Sequence, residues 1–127
     1  MKDVQKELGM AIVFISHNMG VVAQIADEVA IMYMGRVVEK GAVRAILKNP
    51  KHPYTASLLR AVPSLSDLST RKRLEPINGS VPNLFERPPG CPFSARCDSY
   101  ISDKCDQEFP PLTQISDHHE VYCYLYN

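Results

Sequence analysis

The stretch Met10-Ala11-Ile12-Val13-Phe14-Ile15-Ser16-His17-Asn18-Met19-Gly20-Val21-Val22-Ala23-Gln24-Ile25-Ala26 decides the fold class. Its first six residues form a continuous apolar run rich in β-branched side chains, the composition of a strand buried on both faces of a parallel sheet. Ser16-His17-Asn18 makes a polar turn, after which Val21, Val22, Ile25 and Ala26 recur at helical spacing. The local unit is therefore strand, polar turn, helix, which points to an α/β architecture. Upstream, residues 4–8 read as the last turns of a helix with Gly9 as its C-cap. Downstream, residues 28–34 and 36–39 flank Gly35 and read as a hairpin, with Met34-Gly35 at the bend and Gly41 ending it. Residues 42–48 and 53–62 read as short amphipathic helices; Asn49-Pro50 stops the first, and Pro53 sits in the first turn of the second.

One helix, one buried strand, a second helix and a hairpin do not complete a doubly wound sheet. As a first strand, residues 10–15 would expose both edges, so further strands are expected upstream. Charge narrows the function: 14 basic side chains balance 14 acidic ones in 127 residues. That balance argues against nucleic-acid binding, which draws on a surplus of Lys and Arg. The one basic knot, Arg71-Lys72-Arg73, is followed by Glu75 and reads as a solvated linker face. No apolar run approaches the ~20 residues that span a bilayer, and the polar N-terminus has no signal-peptide core. The expected compartment is the cytosol, where cysteines stay reduced or hold a metal rather than forming disulfides.

Composition divides the chain. All ten prolines lie at or after Pro50 and all four cysteines at or after Cys91, whereas all five methionines lie at or before Met34. Residues 1–62 read as regular, close-packed structure; residues 63–127 read as irregular chain that needs some other fastening. Cys91, Cys97, Cys105 and Cys123 are separated by five, seven and seventeen residues. Four thiolates suffice for a tetrahedral site, but none of the spacings is the C-x-x-C knuckle of a zinc ribbon. Gly90 and Pro92 around Cys91 fit a tight ligand turn. His118 and His119 could replace a thiolate in a zinc site, although adjacent histidines near a chain end read as solvated. His17 lies beyond the carboxyl end of the expected strand, where open α/β sheets gather ligands and an imidazole can donate to a phosphate oxygen. Taken alone, it reads as a capping or turn residue.

The surroundings of His17 change that reading. Leu8-Gly9 through Ala23, Ile25-Ala26-Asp27-Glu28-Val29-Ala30-Ile31-Met32 and Gly35-Arg36-Val37-Val38-Glu39-Lys40-Gly41 together resemble the C-terminal portion of an ABC transporter ATP-binding subunit. Asn49-Pro50-Lys51-His52-Pro53-Tyr54-Thr55-Ala56-Ser57-Leu58-Leu59 narrows the resemblance to the subunits of dipeptide, oligopeptide and nickel importers. Gly90-Cys91-Pro92-Phe93, Arg96-Cys97, Cys105, Pro110-Pro111-Leu112 and Val121-Tyr122-Cys123 resemble the C-terminal extension of those subunits.

The resemblance implies an α/β fold in two parts. Residues 1–62 would be a truncated C-terminal part of a P-loop, ABC-type nucleotide-binding domain, and residues 63–127 an irregular Cys- and Pro-rich extension. It implies that His17 is the switch histidine, which reaches the γ-phosphate of ATP and helps order the attacking water. Asn18 stands where the family most often has Asp; it keeps an oxygen for capping the next helix but loses the charge, so a helper role for that Asp is not carried over. In some members the four cysteines hold a 4Fe–4S cluster; zinc and no metal are the alternatives for Cys91, Cys97, Cys105 and Cys123.

The implied assembly is a peptide importer, with this subunit peripheral on the cytosolic face of the inner (plasma) membrane. Its partners would be a second ATP-binding subunit and two permease subunits, and indirectly a substrate-binding protein, with ATP and Mg in the complete subunit. This sequence has no G-x-x-x-x-G-K-S/T loop, no Ser-Gly-Gly signature and no apolar strand ending in Asp-Glu, so the chain by itself is not expected to hydrolyse ATP. The rival reading is a free-standing four-cysteine metal-binding or interaction module.

Overall fold

A computed structural model of the protein describes residues 2–61, 77, 79–83, 85 and 87–127. The basic knot at 71–73 and the boundary between 62 and 63 lie outside the described residues. The elements are α1 (Lys2–Leu8), α2 (Met19–Ile25), β1 (Glu28–Tyr33), β2 (Arg36–Ala42), α3 (Val43–Lys48), α4 (Pro53–Arg60), β3 (Leu112–Ser116) and β4 (His119–Tyr122), with 3-10 turns at Ser94–Arg96 and Tyr124–Tyr126. Helix ends fall close to their sequence signals: Gly9 follows α1, Asn18 caps α2, Asn49 closes α3 and Pro53 opens α4.

β1 and β2 form the expected antiparallel hairpin. Met34 and Gly35 both take positive φ, 47° and 78°, the twist that a tight two-residue hairpin requires. The register then shifts between Ile31 and Met32: Ile31 faces Glu39 and Met32 faces Val37, so Val38 is an extra residue in β2. A bulge of this kind re-aims side chains, and here the consecutive residues Val38 and Glu39 are both fully buried.

The sheet does not end with that hairpin. β4 pairs antiparallel with β2, and β3 with β4, giving the order β1-β2-β4-β3. Gly41, expected to end the hairpin, lies within β2 opposite His119. A Cβ at Gly41 would overlap the His118 carbonyl oxygen, so the missing side chain is what lets β4 approach.

Two sequence expectations need correction. Residues 10–15 form no strand, and Val13 and Ile15 are 91% and 93% exposed. Strand geometry of the doubly buried kind depends on neighbours on either side, and no strand flanks this run among the described residues. The cysteine-rich segment, expected to have almost no regular structure, is irregular around Cys91, Cys97 and Cys105 but adds the two strands β3 and β4 ahead of Cys123. It also shares a core with the first segment: Met19, Ile31, Tyr33, Val38 and Ile46 pack with Cys91 and Phe93. Phe93 stands edge-on to Tyr33 at 5.4 Å between ring centroids and lies 5.3 Å from Tyr54.

Candidate functional site

The four cysteines are set by short local turns. The Cys91 N–H donates to the Cys105 carbonyl at 2.8 Å, and a Cβ on Gly90 would overlap that same carbonyl oxygen. Only glycine allows the two cysteine segments to touch there. Ser94 N–H donates to the Cys91 carbonyl and Cys97 N–H to the Ser94 carbonyl, 3.0 and 3.2 Å, so Cys91 and Cys97 bracket one 3-10 turn. Cys123 directly follows β4. All four are free thiols; Cys91, Cys105 and Cys123 are buried and Cys97 is half-buried.

Burial raises the thiol pKa values. It pushes Cys91 up to about 12, opposed by the Phe93 backbone N–H and reinforced by Cys123, Cys105 and Cys97. Burial likewise pushes Cys123 up to about 11, with Cys97 and Cys105 adding to the effect, and it raises Cys97. Each thiol lies within electrostatic reach of others in the group. Among the described residues, however, no three His, Cys, Asp or Glu side chains are gathered closely enough to hold a single metal ion as they stand.

Beside Cys91 lies a polar network in the core. His52 caps α4: its Nδ1 accepts from the Tyr54 N–H at 3.1 Å. Its Nε2 lies 3.8 Å from the Cys91 sulfur. Burial is the main reason that its pKa is lowered to about 4, with the Glu39 carboxylate pulling the other way. Glu39 itself accepts from the Lys51 N–H at 2.7 Å, from the His52 N–H at 3.0 Å and from His119 Nε2 at 2.7 Å. One carboxylate therefore joins β2, the start of α4 and β4, and satisfies donors that would otherwise be buried without partners.

His17 lies elsewhere, exposed on the turn before α2. Asn18 Oδ1 accepts from the Val21 N–H at 3.2 Å, and the Asn18 N–H donates to Ser16 Oγ at 3.0 Å. The neutral amide thus caps the helix as the sequence led us to expect. Among the described residues, no hydrogen bond joins His17 to the cysteine group.

The family model for the oligopeptide/dipeptide transporter, C-terminal region, matches residues 38–105. The chain belongs to this family. It is the C-terminal region of an ATP-binding subunit of a peptide ABC transporter. A putative peptide import ATP-binding protein of Brucella ovis is 45% identical over 127 residues, covering 97% of this chain and 37% of its own length. Dipeptide transport ATP-binding proteins of Bacillus subtilis and Escherichia coli are 46% and 47% identical, covering 98% and 91% of this chain and 36% and 32% of their own. The chain thus spans about a third of the length of the curated relatives it matches. The family match includes Glu39, His52, Cys91, Cys97 and Cys105 and stops short of Cys123. No helix among the described residues is long and apolar enough to cross a membrane.

Three residues gain importance from the structure. His119, expected to be solvated beside His118, is buried on Glu39, whereas His118 is exposed. His52 carried a legible signal, because Pro at the first helical position makes the residue before it the cap. Glu39 carried none: in an alternating strand a charged residue next to Val38 would face solvent, and the bulge removes the alternation.

Proposed function

We propose that this chain is the C-terminal fragment of the subunit that energises peptide import, with residues 1–62 completing an ABC nucleotide-binding domain and residues 63–127 forming its extension. The observation that carries this reading is the family match over residues 38–105, supported by relatives named for peptide import and dipeptide transport. In the complete subunit, residues 10–15 become a strand flanked by others, and His17 at its end meets the γ-phosphate of ATP bound with Mg. A second ATP-binding subunit and two permease subunits are the partners, a substrate-binding protein delivers cargo, and the subunit is peripheral on the cytosolic face. The fragment carries one of the several phosphate contacts that phosphoryl transfer needs, so it does not turn over ATP alone.

In the complete subunit, His17→Ala should lower turnover far more than nucleotide binding, because the contact is made chiefly in the transition state. Equal loss of both would overturn the assignment of His17.

Cys91, Cys97, Cys105 and Cys123 would hold the metal centre. What supports the fit is the donor set itself, four free cysteines, together with the Gly90 contact that holds the Cys91 and Cys105 turns against each other. A four-iron cluster supplies one-electron chemistry and a staple for the extension. Ligation requires thiolates, so affinity should fall as pH falls. Anaerobic reconstitution should give about four irons per chain and a broad visible band; colourless protein with about one zinc would replace the cluster by a tetrahedral site. Four freely alkylated thiols in protein prepared without oxygen would overturn both.

A further inference from the structure

His52 offers a donor to the cysteine group from outside it. Its Nδ1 accepts the Tyr54 N–H, which requires a lone pair at Nδ1 and leaves the ring proton of the neutral imidazole on Nε2. Nε2 is the atom that faces the Cys91 sulfur at 3.8 Å. The ring has little freedom to turn away: the residue is 1% exposed, its own N–H is held by Glu39 Oε2, and Phe93 packs beside it with 6.1 Å between ring centroids. Glu39 is in turn held by His119 of β4. The start of α4 is thus fastened to the sheet by Glu39 while its cap residue presents an N–H to sulfur.

We propose that His52 is a positioning residue for the metal centre, donating its Nε2–H to the Cys91 thiolate and so stabilising the electron-rich state of that sulfur. The inference rests on the reading of the four cysteines as an iron–sulfur centre. Its physical basis is general: hydrogen bonds to ligating sulfur set both the potential of a cluster and the grip on its metal. It also gives the segment that we assign to the nucleotide-binding domain a direct contact with the centre in the extension, through one imidazole.

Two substitutions separate this role from helix capping. In His52→Asn, Oδ1 takes the place of Nδ1, so the cap on Tyr54 survives and the donor to sulfur is lost. In His52→Gln, Nε2 takes the place of the ring Nε2, so the donor survives and the cap is lost. The full chain and both variants are reconstituted anaerobically with ferrous iron and sulfide, and iron content, midpoint potential and the rate of iron loss to a chelator are measured. We expect His52→Asn to shift the potential to more negative values and to retain iron about 10- to 100-fold less tightly, with His52→Gln close to the unchanged chain. An Asn variant with unaltered potential and release rate would overturn the inference while leaving the metal centre standing. No iron uptake by the unchanged chain would overturn the cluster reading and this inference with it. Independently of any variant, imidazole nitrogen shifts in the unchanged chain should report the Nε2–H tautomer; the Nδ1–H tautomer would overturn the proposed bond.

Discussion

Residues 10–15 and residues 91–123 of this chain are held in opposite ways. The first run is almost wholly apolar, yet its side chains lie exposed and its backbone pairs with no strand among the described residues. The second is poor in large apolar residues, yet it reaches into the core through Cys91 and Phe93, extends the sheet through β4 and shares a buried carboxylate through His119. The difference teaches that apolar content sets how much a segment can gain from burial, while complementary neighbours decide whether it gains anything. Residues 91–123 find those neighbours in the β1–β2 hairpin and in α4.

The contrast is tested most severely at Glu39. Its carboxylate serves three donors, two of them backbone groups at the start of α4, and removing one partner of a buried charged network costs about 3–5 kcal/mol. Glu39→Ala should destabilise the full chain by that amount in urea unfolding and loosen the extension, whereas Lys40→Ala on the exposed neighbour should change it little. Equal effects at the two positions would mean that the extension is fastened by something other than this network.

Phe93→Ala comes next. The ring is 1% exposed and contacts Tyr33 and Tyr54, so truncation should cost about 3–4 kcal/mol. Reconstitution with metal should recover part of the loss, because ligand binding to the folded state adds stability by mass action. Full-strength melting of the metal-free Phe93→Ala chain would show that the extension does not depend on the shared core.

A smaller effect follows from His52 in the metal-free chain. Burial lowers its pKa from 6.5 to about 4, so between those values the unfolded chain binds more protons than the folded one. Its contribution to stability is complete above about pH 6.5 and is lost as pH falls through 4, about 3 kcal/mol in all. Urea midpoints measured from pH 7 to pH 4 should fall more steeply for the unchanged chain than for His52→Asn, and parallel curves would refute the assignment.

Much of this was legible in the residues themselves. Asn18 before an apolar helical pattern, Met34-Gly35 between two strand patterns, and Asn49-Pro50 are local signals, and local signals survive whatever the rest of the chain does. Residues 10–15 misled because their pattern describes a strand whose partners are not among the described residues. Gly41 misled because a glycine that ends a strand and a glycine that admits a neighbouring strand look alike in one dimension. Glu39 and His119 were hidden, as was the tie of His52 to them, for a related reason: the bonds that join the three cross 13 and 80 positions of sequence, and no periodicity connects residues so far apart. The approach of the His52 ring to Cys91 crosses 39 positions and was no more visible.

The mildest prediction returns to the exposed run. Val13 and Ile15 have almost no packing to lose in this chain, so the double change Val13→Ser, Ile15→Ser should move its unfolding midpoint by no more than about 0.5 kcal/mol. Solubility should nonetheless improve, since unpaired backbone flanked by exposed apolar side chains is a template for association. In the complete ATP-binding subunit proposed above the same pair of substitutions should be strongly destabilising, because on that reading the run is a strand with neighbours at both edges. The sign of the comparison therefore reverses with context, and measuring both proteins separates the intrinsic preference of the run from the contribution of its neighbours. A large loss of stability in the short chain would mean that residues 10–15 already bury their side chains there.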